Sequence, residues 1–263
     1  MVVNEISARD YITPSKLGDF AINPYVGCPH ACRYSYASFM MRHTNHQEPW
    51  GEFTDVKIVE KPISLKRISG KSVVMSSVTD PYNPLEAKYE ATRRILEQLI
   101  YSNFHLQIIT KSKLVTRDID LLQKMRHVSV AISINTADEK FRQDMDRADS
   151  IADRIDVLRM LHEAGIHTVL FMAPIFPFIT EWKEIIARTC DFVDYYWLDG
   201  LNLRGSYAND IMGYIRTSYP QFYEDYLNIY YRGDKSRLLE FNRAICDWCD
   251  SNHINYSAYF QKR

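Results

Sequence analysis

The sequence lacks any long uninterrupted apolar run and any excess of charge of one sign. A membrane-spanning helix needs about 18 or more apolar residues in succession, and the opening segment MVVNEISARDYITPSK has no apolar core of the secretory type. We therefore expect a cytoplasmic protein with no membrane span. The 32 Lys and Arg residues balance 33 Asp and Glu residues. This balance argues against a dedicated non-specific nucleic-acid binder but leaves a local basic surface open.

Cysteine is scarce, and its number is odd. The five cysteines are Cys28, Cys32, Cys190, Cys246 and Cys249. An odd, clustered set in a chain without a secretory signal argues against a disulfide framework and for free thiols or metal ligands. Hydrophobic residues form 46% of the chain, enough to bury a sizeable core.

Short apolar runs alternate with amphipathic segments over most of the chain. The predicted strands are 72–78, 105–110, 128–134, 168–173 and 193–198, preceded by a short strand before Cys28. Pro174 should end the strand 168–173. The predicted helices are 85–103, 117–125, 151–164 and 180–189. Such alternation predicts a parallel sheet with helices outside it. About six strand–helix units suit an α/β fold of the incomplete (β/α)6 barrel type. In such a barrel the functional residues follow the carboxyl ends of the strands.

The pattern changes to helices from residue 205 onwards. We expect residues 1–204 to form the partial barrel and residues 205–263 a helical C-terminal extension, with a last helix at 235–251. The aromatic residues between Tyr195 and Tyr231 could stack on bases. Their spacing of three and four is better explained by a helix that packs on the barrel.

The segment 23–37, NPYVGCPHACRYSYA, is the most informative part of the sequence. Three residues separate Cys28 from Cys32, and Ser35 stands where a third cysteine would complete CxxxCxxC. Thiolates are the ligands that iron–sulfur clusters require. The segment resembles the NPYxGCxHxCxYCYA motif of the spore-photoproduct-lyase-like branch of the radical SAM superfamily.

Further segments are similar to the same branch: 79–86 (TDPYNPLE), 110–118 (TKSKLVTRD) and 128–135. The opening ISARDYITPSK resembles proteins known as a radical SAM mobile pair, which implies a homologous partner protein. The resemblance implies a 4Fe–4S cluster, S-adenosylmethionine chelated by its open iron, and an external electron donor. The cofactor then yields a 5′-deoxyadenosyl radical that takes a hydrogen atom from substrate. A nucleic acid is the substrate that the lyase-like branch suggests, for repair or modification. The alternatives are a peptide or small molecule, or a cluster-deficient partner or binding protein.

Ser35 departs from the family pattern at a cluster ligand. A hydroxyl is harder than a thiolate and stays protonated near neutral pH, so we expect a labile cluster and an inactive or impaired protein. Two origins are open for the serine. We favour an introduced substitution because the neighbouring motif segments are intact, and the alternative is a natural paralogue that kept the fold.

The resemblance and the strand ends together give the candidate site residues. The cluster positions are Cys28, Cys32 and Ser35. The candidates for binding S-adenosylmethionine are Tyr34, Ser76, Ser77, Thr79, Asp80, Glu86, Lys111, Ser133, Asn135 and Arg154. Loop packing, helix capping and surface charge are the competing explanations for these residues. We expect His30 to be a solvated loop residue.

Other residues are candidates for contact with substrate or metal. Asp199, Asn202 and Arg204 follow the last barrel strand and would face substrate. Cys246 and Cys249 share a helix face, so a four-thiolate zinc site with Cys28 and Cys32 is the main alternative to a cluster. For a nucleic-acid substrate, the candidate phosphate contacts are Lys111, Lys113, Arg117, Arg142, Arg147 and Arg204.

Overall fold

The computed structural model describes residues 1–260, with Ser206 described by its backbone alone. Its strands are β1 (Val2–Ser7), β2 (Ile12–Pro14), β3 (Phe20–Ile22), β4 (Tyr25–Val26), β5 (Phe53–Ile58), β6 (Ser72–Met75), β7 (His105–Thr110), β8 (Val128–Ser133), β9 (His167–Ile175), β10 (Tyr195–Gly200) and β11 (Tyr256–Tyr259). Its α-helices are α1 (Leu65–Ile68), α2 (Glu86–Tyr89), α3 (Ala91–Leu99), α4 (Ile119–Leu122), α5 (Glu139–Met145), α6 (Ile151–Glu163), α7 (Trp182–Ala187), α8 (Ala208–Ser218), α9 (Tyr223–Leu227) and α10 (Ser236–Ser251). Short 3-10 helices span Tyr36–His43, Lys113–Asp118, Gly205–Tyr207 and Pro220–Phe222, and Asn228–Arg232 forms a π-helical turn.

The main sheet has eight strands in the order β11-β10-β9-β8-β7-β6-β3-β2. Every neighbouring pair is parallel except β2 with β3. This confirms the predicted α/β class and the radical-SAM-type partial barrel, since the two end strands do not pair with each other within the described residues. A second, three-stranded sheet in the order β1-β5-β4 lacked a sequence signal. Its strand β4 leads directly into the segment that carries Cys28.

Strand alternation gives the main sheet a helix-covered face and an inner face. Leu106 and Ile108 of β7, like Val130 and Ile132 of β8, belong to a core shared with residues of the surrounding helices. Successive side chains of a strand point to opposite faces. The intervening residues therefore point inward, and Ser133 is among them. Because the strands are parallel, their carboxyl ends meet at one edge, which we call the carboxyl edge: the residues that end or directly follow β3 and β6–β10.

The predicted helix 85–103 is broken into α2 and α3. Glu90 has φ 48°, a left-handed conformation that interrupts the helical path. The carboxylate of Glu86 accepts hydrogen bonds from the N–H groups of Thr92 and Arg93, at 2.8 and 3.1 Å. These are donors that the start of a helix leaves unpaired. The prediction of one continuous helix was wrong because a side chain two turns earlier caps the second helix.

Pro174 does not end β9, which continues to Ile175. Proline has no N–H to donate to a ladder, so within a sheet it is confined to edges and irregular positions. The pairing of β9 with β10 shifts register between Leu198 and Gly200, beside Pro174. The missing donor is accommodated at this irregularity.

The helices predicted after residue 205 are present. Tyr226 and Tyr230 pack in a second apolar core with Phe176 and Ile211, as the helical spacing indicated. The chain then returns to the main sheet, where β11 pairs in parallel with β10. The division into a barrel and an extension at residue 204 stays a prediction.

Candidate functional site

The segment with the two cysteines is held to the carboxyl edge by backbone hydrogen bonds. Thr79 Oγ1 donates to the carbonyl of Gly27 at 2.6 Å, and the N–H of Arg147 donates to the carbonyl of His30 at 2.7 Å. The N–H of Arg33 donates to the carbonyl of Met145 at 2.9 Å. The segment is therefore fixed by the ends of β6 and α5, from two sides.

Gly27 makes the turn into this segment. Its φ is +84°, and a Cβ placed there would lie 2.4 Å from the backbone oxygen of Phe53. A side chain would suffer both the left-handed backbone strain and this contact. Glycine is the residue that lets the backbone pass this close to β5 immediately before Cys28.

Cys28 and Cys32 are free, half-buried thiols. Burial, with the nearby Asp80 and Cys32, raises the pKa of Cys28 to about 12. Burial also raises the pKa of Cys32, to about 11, against the lowering effect of Lys111. Without a cation both thiols hold their protons at neutral pH, and metal binding would release them. Ser35 begins the following 3-10 helix, and its N–H donates to the carbonyl of Cys32 at 3.0 Å.

His30 is buried, which corrects its prediction as a solvated loop residue. It is 3% exposed, and Nε2 lies 3.2 Å from Oδ2 of Asp80, although neither ring nitrogen makes a well-aligned hydrogen bond. Burial tends to raise the pKa of Asp80, but His30 and hydrogen bonds from Thr110 and the Lys111 N–H hold it below its ordinary value. Asp80 thus joins the ends of β6 and β7 to the cysteine segment.

Tyr34 lies in a buried cluster of charged groups. Its hydroxyl donates to Oδ2 of Asp146 at 3.1 Å, and Nζ of Lys111 lies 5.7 Å from the centre of its ring. Burial tends to raise the pKa of Asp146, but Arg154 and Lys111 hold it below the ordinary value. Asp146 carried no sequence signal, because an acid after a helix is common and its partners come from distant segments.

The small polar candidates lie along the carboxyl edge. Ser76 has φ 56°, is 5% exposed, and its hydroxyl has no hydrogen-bond partner. Ser133 is buried on the inner face at the end of β8, and Asn135 donates to the carbonyl of Pro174 at 3.4 Å. Ser77 is held by Asn23, whose Oδ1 accepts from the Ser77 N–H at 3.0 Å. The Ser76 hydroxyl, like the ring nitrogens of His30, is a buried polar group that a ligand could satisfy.

Two predicted cofactor residues are fully engaged inside the protein. Glu86 is 0% exposed and contacts Tyr25, Thr92 and Arg117. Arg154 is 1% exposed and bonds to carbonyls of Asp149 and Ser133 and to Asp146. Their side chains stabilise the edge from within, so neither is retained in the cofactor set proposed below.

Most of the predicted phosphate contacts are paired with carboxylates. The pairs are Lys113 with Asp153, Arg117 with Glu86 and Asp118, Arg142 with Glu139, and Arg147 with Glu52, at 2.6–3.3 Å. Arg204 is exposed and has no ion pair within residues 1–260. The carboxyl edge is therefore a mixed surface and not a continuous basic strip.

Of the other three cysteines, Cys190 is exposed and two lie behind the sheet. Cys249 is fully buried in the core shared with the outer helices, and Cys246 is half-buried. No group of three or more His, Cys, Asp or Glu side chains in the described part of the chain is arranged to hold a metal ion. The alternative of a four-thiolate zinc site with Cys28 and Cys32 is not supported by this arrangement. No helix among the described residues has the length and apolar character to cross a membrane.

Comparisons with known proteins agree with this geometry. The model of the radical SAM superfamily matches residues 22–190, well over half of the chain. An uncharacterized protein of Methanocaldococcus jannaschii is 37% identical over 224 residues, which cover 84% of this chain and 85% of that protein. The chain therefore belongs to the radical SAM superfamily. A Pseudomonas phage protein named radical SAM Nalpha-GlyT isomerase is 27% identical over 111 residues, 42% of this chain and 23% of that protein.

The fold is similar to that of spore photoproduct lyase. The lyase complexed with dinucleoside spore photoproduct superposes with a TM-score of 0.70 at 16% identity, covering 98% of this chain and 82% of that one. A mutant of the lyase with bound AdoMet superposes with a TM-score of 0.60 at 17% identity, covering 84% and 66%. At this level of identity the likeness concerns the fold.

The cofactors of the superfamily are a 4Fe–4S cluster and S-adenosylmethionine, and the two fit this chain unequally. The buried, unpaired hydroxyl of Ser76 and the Lys111 ammonium suit the polar groups of S-adenosylmethionine. The three motif positions, Cys28, Cys32 and Ser35, offer two thiols and one hydroxyl. This donor set falls one thiolate short of what a cluster with one open iron requires.

Proposed function

We propose that this chain is a radical SAM scaffold that binds S-adenosylmethionine, and that Ser35 impairs its cluster and its catalysis. The observation that carries the proposal is the placement of Cys28, Cys32 and Ser35 on one segment fixed at the same edge as Ser76 and Lys111. With its cluster complete, the cofactor supplies a carbon radical that removes a hydrogen atom from substrate. The cluster-deficient form would keep the binding function, which suits a partner protein.

The residues of the chain have separable tasks in this proposal. Ser76, Ser133 and Asn135 provide hydrogen-bonding groups for the cofactor at the ends of β6 and β8. Lys111 provides a cation for its carboxylate. Tyr34 covers the space between Lys111 and the apolar core around Phe176, and so excludes water from the site. Thr79 and Asp80 position the cysteine segment and not the cofactor itself.

Substitution of Lys111 by Met should weaken binding of S-adenosylmethionine to the serine form by about tenfold, because one charge-assisted hydrogen bond contributes on the order of 1.5 kcal/mol. Lys113→Met is the matched control, since Lys113 is exposed and paired with Asp153. Isothermal titration of both variants would measure the difference. Equal affinities for the two variants would remove Lys111 from the cofactor set.

We further propose that the substrate is a nucleic acid, on the strength of the shared fold with a lyase that binds a dinucleoside photoproduct. The mixed charge of the carboxyl edge limits the number of phosphates that it can contact. An extended duplex footprint is therefore not expected. A single flipped or single-stranded nucleotide fits this charge pattern better, because it needs few phosphate contacts.

Single-stranded DNA and RNA should bind with a shallow salt dependence. With one or two phosphates neutralised, log K should fall with log salt with a slope of about −0.7 to −1.4. A fluorescence anisotropy titration at two salt concentrations measures this slope, and Arg204→Gln should reduce it. Binding to neither polymer would redirect the proposal to a peptide or small-molecule substrate.

A further inference from the structure

Asp199 is an acid at the carboxyl edge without a charged partner. Tyr196 and Leu198 of β10 pack in the core with the outer helices, so the alternation of the strand turns Trp197 and Asp199 to the inner face. Asp199 is half-buried, and no ion pair of its carboxyl is present within residues 1–260. The N–H of the next residue, Gly200, donates a hydrogen bond to the Asp199 carboxyl group.

The groups that face Asp199 are phenols. Tyr36 comes from the 3-10 helix that follows Ser35, and Tyr207 from the short helix after β10. Partial loss of water around each phenol raises its pKa, although Tyr36 is 57% exposed, and the Asp199 charge adds to each rise. Tyr259 of β11 pairs with Asp199 along the backbone. The positive charge of Arg204 lowers the pKa of Tyr207 and so opposes part of its rise. Because burial is opposed only by the Gly200 N–H, the pKa of Asp199 is raised to about 6. Its carboxyl group can therefore gain a proton close to neutral pH.

An aromatic pair lies beside Asp199 on the same face. Trp197 precedes it by two residues, a rise of roughly 6–7 Å along a strand. Its ring meets Phe171 of β9 edge to face, with 5.7 Å between ring centres, and both side chains are half-buried. Half-buried aromatic side chains with an acid at one end offer stacking and hydrogen bonding to one planar ring.

We propose that Asp199 positions the substrate through a two-point hydrogen bond to a nucleobase edge that carries one donor next to one acceptor. A neutral carboxylic acid presents an O–H donor beside a C=O acceptor, and it is complementary to such an edge. An ionised carboxylate offers acceptors alone. A base that stacks near Trp197 would remove further water from Asp199 and favour its neutral form. This inference rests on the nucleic-acid substrate proposed above and adds the residue that holds the edge of the base.

Uridine and N3-methyluridine test the hydrogen bond directly, because the methyl group removes the donor and keeps the ring. Calorimetric titration of the serine form, with S-adenosylmethionine present, needs no cluster. Uridine should bind about 10–30-fold more tightly at pH 5.5 than at pH 7.5, since the binding-competent neutral acid is then the major species. N3-methyluridine should bind more weakly and show no such change.

Variants separate the role of the acid from general damage to the site. Asp199→Asn fixes one donor beside one acceptor, so uridine affinity should become independent of pH and exceed that of the parent at pH 7.5. Asp199→Leu should lose binding at both pH values. Asp191→Asn, an exposed acid, should leave the pH profile of the parent unchanged. Circular dichroism would show that each variant is folded.

Three results would overturn the inference: equal uridine affinity of the Asn and Leu variants, equal uridine affinity of the parent at pH 5.5 and pH 7.5, or tighter binding of N-acetylglycinamide, a peptide amide. Failure of the proposed radical chemistry is distinguishable, because it would appear as absent cofactor cleavage after Ser35→Cys and would leave these titrations unchanged.

Discussion

Replacement of Ser35 by Cys should raise bound iron towards about four per chain and bring reductive cleavage of S-adenosylmethionine. Loss of a group that only supports a metal ligand costs about 10–100-fold in affinity or activity, and loss of a direct ligand should cost at least that. We therefore expect the cysteine form to exceed the serine form by on the order of 100-fold or more in cleavage. Anaerobic reconstitution followed by iron analysis and quantification of 5′-deoxyadenosine would measure both.

Ser38→Cys is the matched control for this change. Ser38 lies one 3-10 turn beyond Ser35, and its N–H donates to the Ser35 carbonyl at 3.4 Å. The control adds a thiol nearby without completing CxxxCxxC. It should leave iron content and cleavage at the level of the serine form. Equal cleavage by the parent protein and its Ser35→Cys variant would show that the serine does not disable the site.

Substitution of Arg154 by Met should lower the free energy of unfolding by about 3 kcal/mol, the low end of the usual cost of breaking a buried ion pair, because Arg142 stays 3.8 Å from Asp146 Oδ1, the oxygen that Arg154 contacts. Arg154 is 1% exposed, and its guanidinium lies 2.8 Å from Asp146 Oδ1. The freed charge of Asp146 would stay buried beneath Tyr34, so binding of S-adenosylmethionine should weaken as well. Urea unfolding followed by circular dichroism gives the stability change.

Arg159→Met on the same helix provides the comparison. Arg159 pairs with Asp156 at 3.0 Å, but their side chains are 50% and 65% exposed, and such a surface pair contributes about 0–1 kcal/mol. The double variant Asp146→Asn, Arg154→Met should recover part of the loss, because it removes the buried carboxylate that has lost its nearer cation. If Arg154→Met were no more destabilising than Arg159→Met, the buried cluster could not be what holds α6 to the edge.

The sequence was sufficient for the parallel strands β6–β10, but not for the three-stranded sheet or for the contacts between distant segments. The strand 105–110 was predicted with its observed bounds, because apolar residues of a buried parallel strand form a clear run. The break at Glu90 depends on a carboxylate that reaches from Glu86 to Thr92. No local propensity encodes that contact.

The sequence likewise predicted some residues of the candidate site and not others. Motif spacing placed Cys28, Cys32 and Ser35 on one segment, and strand ends placed Ser76 and Lys111 near it. The burial of His30 against Asp80 and the role of Asp146 had no sequence signal. Arg117 illustrates the converse, since nothing near it in the sequence indicates that the carboxylate of Glu86, 31 residues earlier, already pairs with it.

The parallel pairing of β11 with β10 has a consequence for biosynthesis. Until residues 256–259 have been made, β10 is an outer strand of the nascent sheet, with unpaired N–H and C=O groups along one side. Such a row is a template for strand addition by other chains. While residues 201–255, which separate β10 from β11, are being made, the emerging protein is exposed to intermolecular pairing. At translation rates of about 5–20 residues per second that interval lasts several seconds, a window in which chaperones would have most to protect.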